Sequence, residues 1–347
     1  MQLLSYAENN IKMAKNNNPL ISVRLLASTL WMVMLSMHVA AQHGKTNHAH
    51  VGILYPLSTN GKTACLDTNK FSLHLVAGIS QQENTLLIAG VSGIVKGNAY
   101  GTLVSGVSNH VGKEAEGVQV AGVLNHIGEH AQGVQIAGLI NSTGSADGIQ
   151  IAGLMNKAGN ANTQIAGLIN VSKKVKGVQI AGLINIAEES SYPIGVLNII
   201  KEGEMQLGLA TDESGNAMVT LRSGGKVMYG LLGIGYHFGY DEARYAVEAG
   251  LGAHLLTAKA FRLNAELAST AMTNFEDGVY GRQSLRILAG YRITPRFEVF
   301  AGPTLNHLMF ESDQPDIRDN RYLWTSHGDD VFNGCYLGGI VGVQFSL

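Results

Sequence analysis

A short motif recurs along the first half of the chain and limits the folds open to it. Its glutamines return about every 15 residues, and degenerate copies flank the run at 101–109 and 194–200. The complete units are GVQVAGVLN at 117–125, GVQIAGLIN at 133–141, GIQIAGLMN at 148–156, TQIAGLIN at 163–170 and GVQIAGLIN at 177–185. Self-similarity at a fixed period indicates an architecture made of neighbouring copies of one unit.

Each unit alternates between two kinds of side chain with the period of a β-strand. In the last unit one face carries Val178, Ile180, Gly182, Ile184 and Ile186, and the other carries Gln179, Ala181, Leu183 and Asn185. The charged residues fall between the units, at Glu129, Asp147, Lys157, Lys173, Lys174 and Lys176. The sequence therefore predicts strands of about nine residues joined by short polar turns.

Two architectures explain this alternation. In the first, each unit is one strand of an antiparallel outer-membrane-type β-barrel, with its apolar face toward lipid and its amide face toward the lumen. In the second, each unit is one coil of a β-solenoid that precedes a smaller C-terminal barrel, and the amides stack in ladders. Residues 101–191 contain no Phe, Tyr or Trp, which disfavours the barrel, whereas such short coils leave little room for an interior. We predict the all-β barrel and keep the solenoid as the alternative.

From about residue 204 the repeat gives way to longer amphipathic strands. The segment 285–293 places Leu285, Ile287, Ala289, Tyr291 and Ile293 opposite Arg286, Leu288, Gly290 and Arg292. Segments 245–255 and 261–267 alternate in the same way, and the last strand, 336–347, runs to the end of the chain. Residues 294–296 (Thr-Pro-Arg) form a predicted tight turn, and 311–330 a long exposed loop. Such strands are typical of outer-membrane barrels.

Charged residues within these strands are expected to face the barrel lumen. We predict that a charge network stabilises or plugs a small barrel, formed by Glu248, Glu266, Arg262, Arg286 and Arg292. No Walker or dinucleotide-binding motif is found, because the repeat glycines lie within predicted strands and no helix follows them. We predict no catalytic, cofactor-binding or metal-binding residue. His43, His48 and His50 are interpreted as part of a polar tail rather than a metal site.

Composition and the first residues predict export. Charged residues make up 14% of the chain, against a usual share of about 25%, and the net charge of -2 gives no reason to expect a nucleic acid partner. Lys12, Lys15 and Arg24 precede the apolar stretch 25–39, which ends in small residues before Gln42. This pattern predicts a signal peptide over 1–41. A mature chain in a membrane would be a closed barrel, since lipid tolerates no open sheet edge.

The repeats resemble a bacterial surface-repeat family whose members carry variable numbers of GVQ(V/I)AGL(F/I)N units behind a secretion signal. The lead-in segments YPLSTN at 55–60 and NKFSL at 69–73, and the exit YPIGVLN at 192–198, belong to the same resemblance, which covers about residues 50–310. It implies a cell-surface or outer-membrane location, β-structure and no assigned activity, so no functional residue is carried over. This chain has Ile, Met or Leu where relatives often have Phe before the asparagine.

We therefore predict four segments: signal peptide 1–41, N-terminal tail and lead-in strands 42–100, repeat region 101–200 and barrel strands 201–347. The predicted function is that of a non-enzymatic outer-membrane or cell-surface β-barrel protein, structural or pore-like, with exposed loops and the lipid bilayer as its partner. The alternative is a surface-exposed solenoid that binds a ligand, glycan or protein. Cys65 and Cys335, the two cysteines, either form a disulfide across the barrel seam or are unrelated thiols.

Overall fold

The computed structural model describes residues 44–276, 278–317, 321–328 and 330–347, and its first half is a parallel stack of β-coils. A 3-10 turn, Gly61–Leu66, interrupts the stack near its start. The strands of the stack are β1 (Thr46–Leu54), β2 (Leu57–Ser58), β3 (Thr68–His74), β4 (Ala77–Ser80), β5 (Gln82–Ala89), β6 (Ser92–Val95), β7 (Ala99–Ser105), β8 (Ser108–Val111), β9 (Ala115–Ala121), β10 (Leu124–Ala137), β11 (Ile140–Ala152), β12 (Met155–Ala166), β13 (Ile169–Val171), β14 (Lys174–Ala181), β15 (Ile184–Ala187), β16 (Glu189–Ile194) and β17 (Leu197–Ile200).

Each coil is flat and two-sided. A rising strand such as β9 carries the GVQIA part of the motif, a Gly-Leu or Gly-Val pair forms a turn that we call the apex, and a returning strand such as β8 carries the asparagine. Polar and charged residues form the opposite turn, the base. The first half of β10 pairs with β8 and its second half with β9, so long strands belong to both sides of the stack. Every glutamine and every asparagine of the motif therefore meets its equivalent one coil away.

The apex glycines are required because neighbouring coils approach closely there. A Cβ added at Gly153 would lie 2.1 Å from the carbonyl oxygen of Gly138, and one at Gly138 would lie 2.0 Å from that of Gly122. The glycine that opens the rising strand has a second reason: Gly133 has a φ of 110°, which side chains other than glycine rarely adopt. The apex glycine of each unit thus marks the place where the backbone turns.

The all-β prediction is confirmed, and the repeats adopt the solenoid, the second of the two architectures. Each GVQIAGLIN unit crosses an apex and does not run as one nine-residue strand: β14 ends at Ala181 and β15 begins at Ile184. Leu183, assigned by alternation to the glutamine face, lies on the outside of this turn. The short coils need little interior, because alanines and amides fill it. The stack also extends to Thr46, ahead of the recognisable repeats.

The second half of the chain is an antiparallel barrel that closes on itself. Within the described residues eight strands form the closed wall, sealed where β18 pairs with β26, for example Thr211 with Val341. A short strand, β25, pairs only with β26 and lies in the longest loop. The barrel strands are β18 (Glu204–Asp212), β19 (Asn216–Gly224), β20 (Met228–His237), β21 (Tyr245–Thr257), β22 (Phe261–Thr273), β23 (Tyr280–Arg292), β24 (Phe297–Glu311), β25 (Trp324–His327) and β26 (Val331–Ser346).

The two ends of the barrel differ in their connections. Tight turns at 225–227, 258–260 and 293–296 form the end that we call the turn end. The loop end holds one short turn, 213–215, and longer connections that include 238–244 and 312–330. The predicted turn at 294–296 is confirmed, since the backbone N–H of Thr294 donates to the carbonyl of Phe297 and the N–H of Phe297 donates to the carbonyl of Thr294. The predicted alternation along 245–255, 261–267 and 285–293 also agrees with the burial of these strands.

The solenoid joins the barrel wall through the hairpin β19–β20, within one compact unit, Thr46–Leu347. The backbone amide of Asn198 donates to Oγ of Ser223 at 3.0 Å, and its side-chain amide donates to the Ser223 carbonyl at 3.1 Å. The backbone amide of Val227 donates to the carbonyl of Ser191 at 3.2 Å. Rising strand β16 lies along β20, and returning strand β17 lies along β19. The hairpin therefore takes the place of one further coil.

Candidate functional site

A network of buried ions crosses the middle of the barrel lumen. Nε of Arg222 donates to Glu266 at 2.7 Å, and the Tyr229 hydroxyl donates to the same carboxylate oxygen at 2.9 Å. Arg286 donates to both oxygens of Glu248 and lies 3.7 Å from Glu266. These five residues come from five consecutive strands, β19 to β23, and the network joins strands of this set that are not neighbours in the wall, such as β19 and β22. Because each charge has a hydrogen-bonded partner of opposite sign, burial is tolerable.

A second ion group lies at the turn end of the lumen. Nη1 of Arg262 is 2.7 Å from Glu204, and its Nε is 3.8 Å from Glu298. Arg292 reaches the same two carboxylates, at 3.9 Å from Glu204 and 3.6 Å from Glu298. Gln344 donates to the other oxygen of Glu298 at 3.0 Å. The turn end is therefore closed by paired charges from four different strands.

An apolar plug fills the loop end of the lumen. Here most of the inward residues in the cluster are aromatic or sulfur-containing, and loop residues Ala243 and Ile317 cover them. The barrel residues of this plug include Met218, Met272, Tyr280, Leu308, Phe310, Phe332 and Tyr336. Between the plug and the central network, Arg282 donates to Asp212 at 2.6 Å beside a cavity of about 10 Å³, close to the volume needed for one water molecule.

The predicted charge network agrees with this geometry. All five residues named from the sequence, Glu248, Glu266, Arg262, Arg286 and Arg292, point into the lumen and pair with ions there. Arg222, Glu298 and the pair Asp212–Arg282 also lie among the lumen ions and were not predicted from the sequence. The signal for Arg222 and Glu298 was present, since each occupies an inward position of an alternating strand. No such signal existed for Asp212, because this residue is the last of its strand and lies beside a polar turn.

The outer wall of the barrel is aliphatic and open to the surroundings. Ile234 is 65% exposed, Val247 62% and Leu267 59%, whereas inward residues of the same strands are buried. Exposed aromatic rings mark both ends of this band. At the turn end they are Phe261, Tyr291 and Phe345, and at the loop end they are Tyr236, Phe238, Tyr245 and Phe275. The loop-end rings pack in a row, with centroids 5.0–5.9 Å apart.

The solenoid, like the barrel, has polar side chains inside and aliphatic side chains outside, but the interior polar groups of its repeated motif are uncharged amides. From Asn109 to Asn198 each asparagine Nδ2 donates to Oδ1 of the asparagine in the next coil, at 2.8–3.0 Å. Between Gln135 and Gln179 the glutamines form a second ladder, at 2.7–3.0 Å, whose donors point the opposite way. Both ladders are buried. Their amides hold the coils in register and are not displayed to a ligand.

A cluster of polar side chains lies inside the first coils. His50 and His74 are in edge contact, with ring centroids 4.4 Å apart, and Asn69 donates to Glu83 at 3.0 Å. Burial, together with the proximity of His50, lowers the pKa of His74 to about 4. Burial raises the pKa of Glu83, and hydrogen bonds from Asn69 and Ser72 oppose this shift. In the part of the chain that the structure describes, no group of three or more His, Cys, Asp or Glu could hold a metal ion.

The remaining candidate residues from the sequence, the histidines and the two cysteines, do not come together in one site. His48 and His50 belong to β1 and not to a tail, while His43 and the predicted signal peptide lie outside the described residues. Cys65 and Cys335 are both free, so the seam disulfide is wrong. The seam is formed by β18 and β26, whereas Cys65 lies in the 3-10 turn at the far end of the solenoid.

Among residues 44–276, 278–317, 321–328 and 330–347, no helix is long and apolar enough to cross a membrane.

Comparison of the chain with protein-family models, with curated proteins and with solved structures gives no match. The resemblance of the repeats to a bacterial surface-repeat family therefore stays a prediction from the motif.

Proposed function

We propose that this chain is a non-enzymatic outer-membrane protein whose C-terminal barrel spans the bilayer and anchors the solenoid. The observation that carries the proposal is the polarity of the barrel. Its ions are buried in the lumen, and its aliphatic residues cover the outside of a closed wall. In water this arrangement would expose a continuous apolar surface, whereas in a bilayer it is the stable one.

The dimensions of the outer wall support the same proposal. On β26 the outward residues from Leu337 to Phe345 span eight residue steps, about 27 Å along the strand and about 20 Å along an axis tilted by about 40°. That is close to the apolar band of about 25 Å in membrane barrels, and aromatic rings flank it here as in them. The predicted export signal agrees with this location.

Within this proposal we favour a structural anchor over a pore. The lumen is occupied along its length by the turn-end ions, the central network and the aromatic plug. A conducting pore would need a water-filled path, and the cavity beside Arg282 has room for about one water molecule. The alternative of a ligand-binding solenoid gains less support, because its repeated amides are buried and bonded to one another.

Two measurements test the proposal. The refolded barrel should migrate faster on a denaturing gel before heating than after, and should remain with membranes during urea extraction, because its wall is closed and lipid-facing. In planar bilayers it should give no steady conductance. A mature chain that is monomeric and soluble without detergent would overturn the membrane assignment, and a stable ohmic current would overturn the closed lumen.

A further inference from the structure

The apex of the solenoid forms a straight ridge of aliphatic side chains. One valine or leucine per coil occupies the apex, and backbone hydrogen bonds join successive members, for example Leu139 N to the Val123 carbonyl at 3.2 Å. Each is 37–48% exposed. The apex row comprises Val76, Val91, Val107, Val123, Leu139, Leu154, Leu168, Leu183 and Val196. At about 4.8 Å per coil it is about 38 Å long.

Two further rows widen this ridge on either side. The register of the rising strands aligns Leu73, Ile88, Val104, Val120, Ile136, Ile151, Ile165, Ile180 and Ile194. In the six coils nearest the barrel, the register of the returning strands aligns Leu124, Ile140, Met155, Ile169, Ile184 and Leu197, and in the first three coils it places Ala77, Ser92 and Ser108 in this row. The opposite edge, the base, carries Lys113, Glu129, Lys173, Glu188 and Glu202. The solenoid is thus apolar along one long edge and charged along the other.

The join to the barrel fixes which edge faces the apolar band. Near the base of the last coil, Ser191 bonds to Val227 at the tip of the β19–β20 hairpin. Near the apex, Gly195 meets Gly230, where an added Cβ would lie 2.4 Å from the Gly195 carbonyl oxygen. From Val227 to Gly230 the barrel strand leaves the turn end and runs into the aliphatic band. The apex therefore lies on the band side of the join, and the charged base lies on the turn side.

We infer that the apex ridge inserts into the acyl-chain region of the leaflet beside the turn end of the barrel, so that the solenoid lies along the membrane surface. This inference rests on the proposed function, because it takes the barrel to span the bilayer. The ridge members nearest the barrel, Val196 and Leu183, then continue the lipid-facing wall away from the barrel, and the charged base faces water. A polar face opposite an apolar one is the arrangement of other elements that lie in a membrane interface.

The chemistry of the ridge favours lipid over a protein partner. Its three rows hold mainly Val, Leu, Ile and Met, without the Trp, Tyr or Arg side chains that anchor most protein interfaces. Its members repeat at equal spacing and form a convex edge, which suits a fluid partner better than a pocketed one. Acyl chains demand no hydrogen bonds, and the backbone groups along the ridge are already bonded from coil to coil.

Depth-dependent fluorescence quenching tests the inference in the full chain. Single cysteines for a fluorescent label are introduced by Leu154→Cys at the apex, Glu129→Cys at the base and Leu267→Cys on the barrel wall, in a Cys65→Ser, Cys335→Ser background. The proteins are reconstituted into phosphatidylcholine vesicles with or without doxyl-labelled acyl chains. Heat-dependent gel mobility verifies that each labelled barrel is folded.

We expect doxyl lipids to quench the Leu154 and Leu267 probes at least twofold more than the Glu129 probe, and aqueous iodide to show the reverse order. A Leu267 probe quenched by doxyl lipid beside a Leu154 probe quenched by iodide would overturn the ridge insertion and leave the membrane barrel standing. A Leu154 probe protected from both quenchers would also overturn it, because a protein surface, such as a second copy, would then cover the ridge. Failure of doxyl lipid to quench Leu267 would instead overturn the proposed function.

Discussion

The solenoid and the barrel both bury polar side chains and expose aliphatic ones, but they satisfy the buried groups in different ways. In the solenoid, neutral amides bond to identical amides one coil away, so each bond is local in sequence. In the barrel, ions bond across the lumen between distant positions, such as Arg282 and Asp212, which are 70 residues apart. Both regions therefore have a polar interior and an aliphatic exterior. The solenoid satisfies its interior groups by repeating one unit, and the barrel does so by closing its wall around them. Damage to the first should stay local, whereas damage to the second should affect the whole wall.

The largest effect is expected from breaking the central ion network. Glu266→Ala leaves Arg222 without its carboxylate partner in a buried site, so the free energy of unfolding should fall by about 3–5 kcal/mol. Urea unfolding of the protein refolded in vesicles measures this. Asp241→Ala, which removes an exposed partner of Arg244, is the matched control and should leave the stability nearly unchanged, because solvent screens this pair. Equal losses in the two variants would contradict a structural role for the network.

A break in the asparagine ladder should cost less and remain local. Asn156 donates to Asn170 at 3.0 Å and to the Ile165 carbonyl at 2.8 Å. Asn156→Ala leaves both acceptors buried without this donor, and the expected loss is about 2–3 kcal/mol. Lys157→Ala, at the next and outward-facing position, is the control and should change stability by less than about 0.5 kcal/mol. Hydrogen exchange should increase in neighbouring coils and not in the barrel; a uniform increase would argue against local coupling.

Acid should weaken the first coils. The pKa of His74 is lowered to about 4 in the fold from 6.5, so its contribution to stability is complete above pH 6.5 and is lost as the pH falls toward 4. Burial lowers the pKa of His50 in the same direction, while the raised pKa of Glu83 acts oppositely. His74→Phe should remove on the order of 1–2 kcal/mol of this acid sensitivity. Circular dichroism during urea unfolding at pH 7 and pH 4 measures it, with exposed His48→Leu as the control.

The smallest effect is expected from removing one whole coil. Deletion of 149–162 joins Gly148 to Thr163 at the position that Ile149 held, and keeps both ladders in register. The free energy of unfolding of the barrel should be unchanged within about 0.5 kcal/mol, because each coil contacts only its neighbours. Heat-dependent gel mobility follows the barrel. Deletion of 149–155 alone puts the ladders out of register and should disrupt the solenoid; if both deletions unfold the barrel, the two regions are not independent.

The barrel could be predicted from the sequence more fully than the solenoid. Along β23 the alternation of Leu285, Ile287 and Tyr291 with Arg286 and Arg292 separates the two faces of a single long strand, and closure follows from the need to pair every edge. The lumen ions could be predicted because a charged residue on the strand face opposite the aliphatic residues must point into the lumen. Asp212 could not, since strand ends and turns carry acidic residues for many reasons.

The repeats were ambiguous because alternation gives the same two faces for a lateral and a stacked arrangement. The deciding residues are Gly182 and Leu183, which turn the chain at the apex in the middle of a unit that reads as one strand. A glycine inside an alternating run is compatible with a strand or a turn, and only the approach of the Gly167 carbonyl, 2.2 Å from a Cβ placed at Gly182, fixes the turn. That approach is a property of the neighbouring coil and is invisible in one unit alone.

The hairpin β19–β20 has a consequence for how such chains can change. Because this hairpin receives the final coil as a further coil would, the attachment is independent of how many coils precede it. Gain or loss of one 14- to 16-residue unit in the coding sequence would shift the distance between the barrel and the far tip by about 4.8 Å and leave the attachment itself unaltered. Duplication or loss of units can thus change the length of the solenoid in equal steps, while the contacts between its last coil and the barrel stay the same.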